Sequence, residues 1–449
     1  MTRGPAKAER PKPERTKPER TRPGSSRKVV DGARALLDAI TESGDPADRV
    51  RHAWMRQHHR AFEAEERTAL IGLSEEVLRQ RGKLDWWLTE GGSVDTAPNN
   101  GLRIAAWRML AAGVTADSLL WLFEDQDAAA AILRRLDGHT LDHPKMPLAA
   151  RHSVPDWILP HFKERFGADL ELELTAMLRP APLDVRINPL KTTRAAAEAA
   201  LAAEDLRSQP TPFSPFGLRL SPSAYVNNTK AYAEGLIEPQ DEGSQLAAQL
   251  VDAANAKFVV DFCAGAGGKT LVLAAAMKNT GRLVAIDISA GRLQQAKLRL
   301  RRAGAHNAEC RDIEPKWLKR HRELADRVLV DAPCTGTGTW RRKPDAKWRL
   351  RPLDLEELVP RQAEILDRAA KLVKRGGRLI YVTCSVLMDE NERQVDAFLQ
   401  RQPEFSVMPV NDVWPQTVGG ACPVPGPYLS LSPGRHGTDA FFAAILVRR

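Results

Sequence analysis

Cysteine is scarce in this chain: five among 449 residues. That number is odd, and it falls far short of what a disulfide scaffold of this length uses, so reduced thiols in a cytoplasmic setting are expected. No apolar run approaches the roughly 18 residues that a membrane-spanning helix needs. The first residues show no short apolar stretch of a secretory leader, so no export signal is expected. There is no His/Cys cluster at metal-ligand spacing, and no metal site is expected. Aromatic residues are only 6%, but hydrophobic residues at 43% and charged residues at 27% suffice for a globular protein with a sizeable core. At 449 residues the chain calls for two or three domains.

Charge is unevenly placed. Lys and Arg outnumber Asp and Glu by 66 to 57, a net +9. Residues 1–28 hold ten Lys/Arg against three Glu and so carry +7 of it. This segment contains the tandem "KPERTKPERTRP". Frequent proline, high charge and no large apolar side chain leave it nothing to bury, and it reads as a disordered basic tail able to attract a polyanion.

Four textures follow one another. After the tail, residues 29–145 space apolar side chains three or four apart in "KVVDGARALLDAI", "ERTALIGLSEEVLRQRG", "LRIAAWRMLAAG" and "DSLLWLF", with glycines at several ends, which predicts an all-helical domain. His58 and His59 sit there in a charged stretch and read as surface residues. Residues 146–235 predict a small α+β lead-in domain: strand "LDVRINPL", bearing Arg186 and Asn188, then an alanine-rich helix and strand "GLRLSP". From 236 to 449, "KFVVDF", "RLVAID", "AECRDI", "RVLVDA" and "RLIYVT" alternate with amphipathic helices. Such alternation predicts a mostly parallel, Rossmann-like doubly wound sheet with its ligands at the strands' carboxyl ends.

The first of those strands enters "DFCAGAGGKT" (261–270). Gly265, Gly267 and Gly268 let the backbone turn sharply ahead of a helix N-terminus. Alone, this turn suits a dinucleotide, a phosphate or S-adenosylmethionine. The spacing is neither G-x-G-x-x-G nor a Walker P-loop. Asp287 ends the next strand, about 20 residues on, where a carboxylate can hold ribose hydroxyls. Asp312 and Asp331 end the following two. Adenosyl-cofactor binding is the reading these features favour.

Two further strands end in cysteine: "DAPCTGTGTW" with Cys334 and "YVTCSVLMDENE" with Cys384. Cys310, Cys422 and Cys263 read as inert thiols. Cys334, ahead of a "TGTGT" loop, reads as accessible, and Cys384 stands before the acidic start of a helix that favours thiolate. A thiolate beside a methyl donor suits cytosine, whose carbon 5 becomes nucleophilic once sulfur has added to carbon 6. The base must be unpaired or flipped to be reached.

"DFCAGAGGKT", "VDAPCTGTGTWRRKPDAKW" and "YVTCSVLMDENE", with the lead-in segments "PLDVRINPLK" and "PQDEGSQL", resemble the Sun/nucleolar-protein family of S-adenosylmethionine-dependent RNA cytosine-5 methyltransferases over about 180–449. The helical region, most clearly "RTALIGLSEEVLRQRGKLDWWL", is similar to the NusB-like RNA-binding domain of the family's bacterial 16S ribosomal RNA members. The resemblance implies a class I methyltransferase domain over 236–449 that uses S-adenosylmethionine and acts on RNA, ribosomal RNA before transfer RNA, as a cytoplasmic monomer. It implies Cys384 as nucleophile, Cys334 as the cysteine that aids release, and Asp331 at the cytosine or the cofactor. Cys263, Ala264, Gly265, Ala266, Gly267, Gly268, Lys269, Asp287 and Asp312 match cofactor positions. Arg341, Arg342, Lys343 and Lys347, interleaved with Trp340 and Trp348, suit phosphate contact and base stacking, as do Arg186 and Asn188 for RNA. Ala266 and Ala440 stand where the family usually has proline and glycine. The competing expectations are a transfer RNA methyltransferase and a non-catalytic RNA-binding assembly factor on the same fold.

Overall fold

The computed structural model describes residues 26–89, 98–221 and 224–449. The proline-rich tail lies outside them except for its last residues, which already belong to the fold: Ser26 caps the helix Arg27–Ser43 by accepting from the Val29 amide. That helix ends at Gly44, in the left-handed conformation at φ 66°. The helices Ala64–Arg79, Arg81–Thr89 and Asn100–Ala112 follow, the first closed by a reciprocal Glu63/Glu66 capping box and the last by Asn99. "DSLLWLF" forms a 3₁₀ helix, Ala116–Leu122, where an α-helix is predicted. Gly82 does not end a helix but lies inside one, where an added Cβ would meet Ser153 at 2.7 Å and Trp348 at 3.2 Å. These helices share one apolar core running from Val29 to Met146.

The lead-in departs from the sequence expectation at both ends. Its first part is helical, Leu159–Phe166 and Leu170–Leu178, and packs with Trp340, Leu355, Val386 and Leu387 of the following domain. The small sheet contains β1 (Leu183–Ile187), β2 (Ser208–Pro210), β3 (Gly217–Leu220) and β4 (Ile237–Pro239), in the order β2-β3-β1-β4, antiparallel throughout. β4 lies beyond residue 235, so the small sheet draws on the segment read as methyltransferase domain.

The large sheet is built from β5 (Phe258–Asp261), β6 (Arg282–Asp287), β7 (Ala308–Asp312), β8 (Ala325–Asp331), β9 (Val373–Thr383), β10 (Phe405–Met408), β11 (Leu429–Leu431) and β12 (Phe441–Arg448). Its order is β10-β12-β9-β8-β5-β6-β7, with β11 on β12. The pairs among β5 to β9 are parallel, and β12 runs antiparallel beside β9. The predicted doubly wound, mostly parallel sheet is therefore present. Runs such as Val259–Val260 and Leu283–Ile286 are fully covered on both faces, as buried parallel strands are. Strand order reverses at β5/β8, and a crevice for ligands opens outside the carboxyl ends there.

Candidate active site

At that edge, β5 passes into a loop held against β6: the Ala264 amide donates to the Ile286 carbonyl at 2.9 Å and the Gly265 amide to Asp287 Oδ2 at 2.8 Å. Gly267 then starts the helix Gly268–Ala276 at φ 82°, and an added Cβ would press on Ala296 at 3.0 Å. A side chain there would pay for both the strained φ and the contact. Above Gly265 no atom lies within 4 Å of where a Cβ would stand. Ile288, next to Asp287, is 76% exposed. An open cradle, a strand-end carboxylate and an uncovered apolar side chain fit an adenosyl group, for which Asp287 would hold the ribose diol and Ile288 would cover the base. The sequence reading missed Ile288; its signal is an isoleucine that follows the strand-end acid. Asp312 is exposed at the end of the outer strand β7, in register with Asp287.

Asp331, at the end of β8, keeps about a third of its side chain exposed while Oδ2 accepts from Lys269 Nζ at 2.6 Å. Lys269 is buried on the cofactor loop's helix, so this pair joins the two halves of the site. Asp261 is fully buried beneath; Oδ2 accepts from the Thr270 hydroxyl, and Oδ1 has no partner among the described residues. Burial pushes its carboxyl up to about 7, aided by the charges of Asp331 and Asp287 and opposed by Thr270 and Lys269. Below pH 3.8 both folded and unfolded chains carry the proton; between there and about 7 only the folded one does, and above that the folded state holds an ill-solvated charge. Asp261→Asn is thus expected to stabilise by on the order of 2 kcal/mol at pH 8, after the cost of an unpartnered amide, and to lose that gain by pH 4. Urea melts at the two pH values measure it.

Cys334 and Cys384 meet beside this edge, Sγ to Sγ at 3.5 Å. Each cysteine is held through both its neighbours. Around Cys334, Gln362 Nε2 donates to the Pro333 carbonyl at 2.9 Å, and Glu390 accepts from the Thr335 amide at 2.8 Å and hydroxyl at 2.5 Å. Around Cys384, Asn391 accepts from the Thr383 hydroxyl at 2.5 Å and donates to the Ser385 carbonyl at 2.9 Å. Gly338 lies directly on Cys384: its amide donates to the Cys384 carbonyl at 2.9 Å, and a Cβ would stand 2.8 Å from that oxygen. The "TGTGT" loop is therefore stitched down, and Cys334 is partly buried where the sequence reading has it accessible. The α-helix expected from the acidic stretch at Asp389 begins only at Glu392, with Glu390 and Asn391 turned inward as braces. Sequence reading missed Gln362, Glu390 and Asn391; only the acids of "MDENE" hinted at them.

The hydrogen bond to Cys384, burial and the charge of Glu390 hold the Cys334 thiol well above its ordinary range. Burial also raises Cys263, Cys310 and Cys422. Such thiols are poor nucleophiles, as the sequence reading of those three has it.

The expected RNA contacts need correction. Arg341 is buried, with Nε on Asp439 at 2.6 Å, and Arg342 spends its guanidinium on Asp439, Asp241 and the Pro182 carbonyl. Lys347 is buried and donates to the Arg79 carbonyl at 3.0 Å. Trp340 packs on Phe162, and Trp348 Nε1 donates to the Leu78 carbonyl. This loop is the seam between the helical domain and the catalytic one. Arg186 and Asn188 are buried too, on Gln240 and on the Gly235 and Ala303 carbonyls respectively. Of the six residues only Lys343 stands exposed. The physical reason is pairing with acids and carbonyls distant in sequence. Among the described residues no helix is long and apolar enough to cross a membrane, and no three His, Cys, Asp or Glu side chains gather as a metal site.

Comparison with known proteins agrees with this geometry. Residues 248–447 match the family described as 16S rRNA methyltransferase RsmB/F, and residues 154–227 match its ferredoxin-like domain. The probable ribosomal RNA small subunit methyltransferase B of Synechocystis sp. is 35% identical over 310 residues, 68% of this chain and 69% of that one. The ribosomal RNA small subunit methyltransferase B of Yersinia pseudotuberculosis is 32% identical over 66% of each chain. The crystal structure of PH0851 superposes with a TM-score of 0.77 at 28% identity, covering 93% of this chain and 99% of that one. The chain belongs to the 16S rRNA methyltransferase RsmB/F family, and S-adenosylmethionine is its cofactor.

Proposed function

We propose that this protein methylates carbon 5 of a cytosine in 16S ribosomal RNA through a covalent bond between Cys384 and the base. The observation that carries the reading is the cysteine pair, two thiols 3.5 Å apart at the ends of neighbouring strands, beside the cofactor loop. Methyl transfer to oxygen or nitrogen needs no such pair.

S-adenosylmethionine supplies an electrophilic methyl group. The protein's part is to make cytosine a carbon nucleophile. Cys384 sulfur, as thiolate, adds to carbon 6, which places electron density on carbon 5; after that carbon has taken the methyl group, its proton passes to water, the electron pair left behind restores the ring double bond, and the carbon–sulfur bond breaks with its electrons returning to Cys384. Cys334, kept as a thiol, is placed to hydrogen-bond the departing sulfur and so aid release. Asp331, steadied by Lys269, keeps a free face for the cytosine amino edge.

Purified protein with 16S ribosomal RNA and methyl-labelled S-adenosylmethionine, followed by nuclease digestion and nucleoside mass spectrometry, tests the reading. Labelled 5-methylcytidine is the expected product. Label in any other nucleoside, or incorporation only into transfer RNA, would overturn it.

A further inference from the structure

The cofactor loop is clamped by two side chains tied to the small sheet: Gln240, just past β4, and Arg299, on the helix Ala290–Ala303 of the large domain. Arg186 on β1 and Glu238 on β4 are cross-strand partners in the small sheet, and both are buried. From this pair two arms run to the loop. Glu238 accepts from Arg299 Nε at 3.0 Å, and Arg299 Nη1 donates to the Ala266 carbonyl at 2.7 Å. Arg186 Nε donates to Gln240 Oε1 at 2.8 Å, and Gln240 Nε2 reaches the Gly268 carbonyl at 3.4 Å. The two carbonyls flank Gly267, and Arg299 and Gln240 converge on Gly268, each within 4.0 Å of where its Cβ would stand.

We infer that Arg299 and Gln240 are positioning residues for the cofactor, through which the small sheet holds the Ala264–Gly268 loop in its binding shape. The inference rests on the reading that this loop binds S-adenosylmethionine. Two successive left-handed turns, Gly265 at φ 56° and Gly267 at φ 82°, leave the loop many alternatives when unbound. A peptide whose carbonyl is fixed by a guanidinium has fewer, so less ordering is left for the ligand to supply. The Arg299 arm should dominate, because it is charge-assisted and short, whereas the Gln240 contact is neutral and long.

The test uses the full chain and titrates S-adenosylhomocysteine by calorimetry without RNA. Arg299→Ala is expected to weaken binding roughly tenfold or more, the usual effect of losing a hydrogen bond to a charged group, and Gln240→Ala about two- to threefold. Arg299→Lys, which keeps a cation and one donor, should recover part of the loss. Hydrogen exchange at the 264–268 amides should quicken in Arg299→Ala. In turnover, KM for S-adenosylmethionine should rise while kcat at saturation and KM for RNA stay within about twofold. Arg302 still pairs Glu238, so Arg299→Ala leaves no bare buried charge. Gln240→Ala takes the 2.8 Å acceptor from the buried Arg186 guanidinium, so a thermal melt accompanies it to separate lost fold from lost binding. Asp287→Ala is the reference. If it abolishes binding while Arg299→Ala binds like the parent, the inference fails and the cofactor reading stands. If Asp287→Ala also binds like the parent, the cofactor reading fails and takes the inference with it.

Discussion

Cys334→Ala protein, incubated with 16S ribosomal RNA and S-adenosylmethionine, is expected to accumulate a protein–RNA adduct that survives denaturation, while Cys334→Ala/Cys384→Ala forms none. The asymmetry comes from the surroundings of the two sulfurs. Cys334 is held as a thiol by the hydrogen bond to Cys384, by burial and by Glu390. A thiol fixed in that form serves a leaving sulfur better than it attacks a ring. Without it addition and methyl transfer proceed, but expulsion loses its hydrogen-bond donor, and removing a positioned proton donor slows a step about 10²- to 10⁴-fold. Without Cys384 the covalent route is closed, and turnover should fall on the order of 10⁴-fold or more. A gel under denaturing conditions with labelled RNA reads the adduct, and sequencing the trapped RNA locates the cytosine. Adduct formed by Cys384→Ala alone would reverse the two roles. Absence of adduct in every variant, together with no methyl transfer by the parent, would point to an RNA-binding protein that has kept only the fold.

What was legible in the sequence was what local chemistry dictates. Short unbroken apolar runs gave the parallel strands, which are buried on both faces, and period-3.6 patterns gave their helices, which bury one. Gly265, Gly267, Asp287 and the two cysteines stood out because backbone reversal and thiol chemistry tolerate few other residues. The failures share a cause. Arg341, Arg342 and Lys347 look like a basic RNA-binding loop when read along the chain, but Asp241, Asp439 and the Arg79 carbonyl lie about 100 to 270 residues away in sequence. A charge run carries no mark of the partner that neutralises it. The same holds for Arg186, whose place beside Glu238 is set by strand register. The 146–178 helices were missed for a related reason: their apolar faces answer Trp340 and Leu355 in a domain that the segment precedes.

Glu390 gives the second large expected effect. It is fully buried, and its carboxylate takes three hydrogen bonds at once: the Thr335 amide, the Thr335 hydroxyl and Gln362 Nε2 at 2.9 Å. Its own carbonyl accepts from the Tyr381 hydroxyl at 2.6 Å, and Asn391 beside it holds both neighbours of Cys384. One short turn thus sets the separation of the two sulfurs. Glu390→Gln keeps the volume but sets an amide hydrogen against at least one of those donors, and it removes the charge that helps keep Cys334 protonated. A cost on the order of 1–3 kcal/mol in stability is expected from the donor left unmatched. The loss in kcat should be larger in proportion, about 100-fold, because a displacement near 1 Å in a reacting group is enough for that. KM for RNA and for S-adenosylmethionine should hold, since Glu390 faces neither the cofactor loop nor solvent. Single-turnover methylation separates the chemical step from release, and alkylation of Cys334 in a Cys384→Ser background reports its thiolate directly. Removal of the Glu390 charge should move that alkylation profile to lower pH; an unmoved profile with a lowered kcat would leave Glu390 as a geometric brace alone, and an unchanged kcat would remove it from the site.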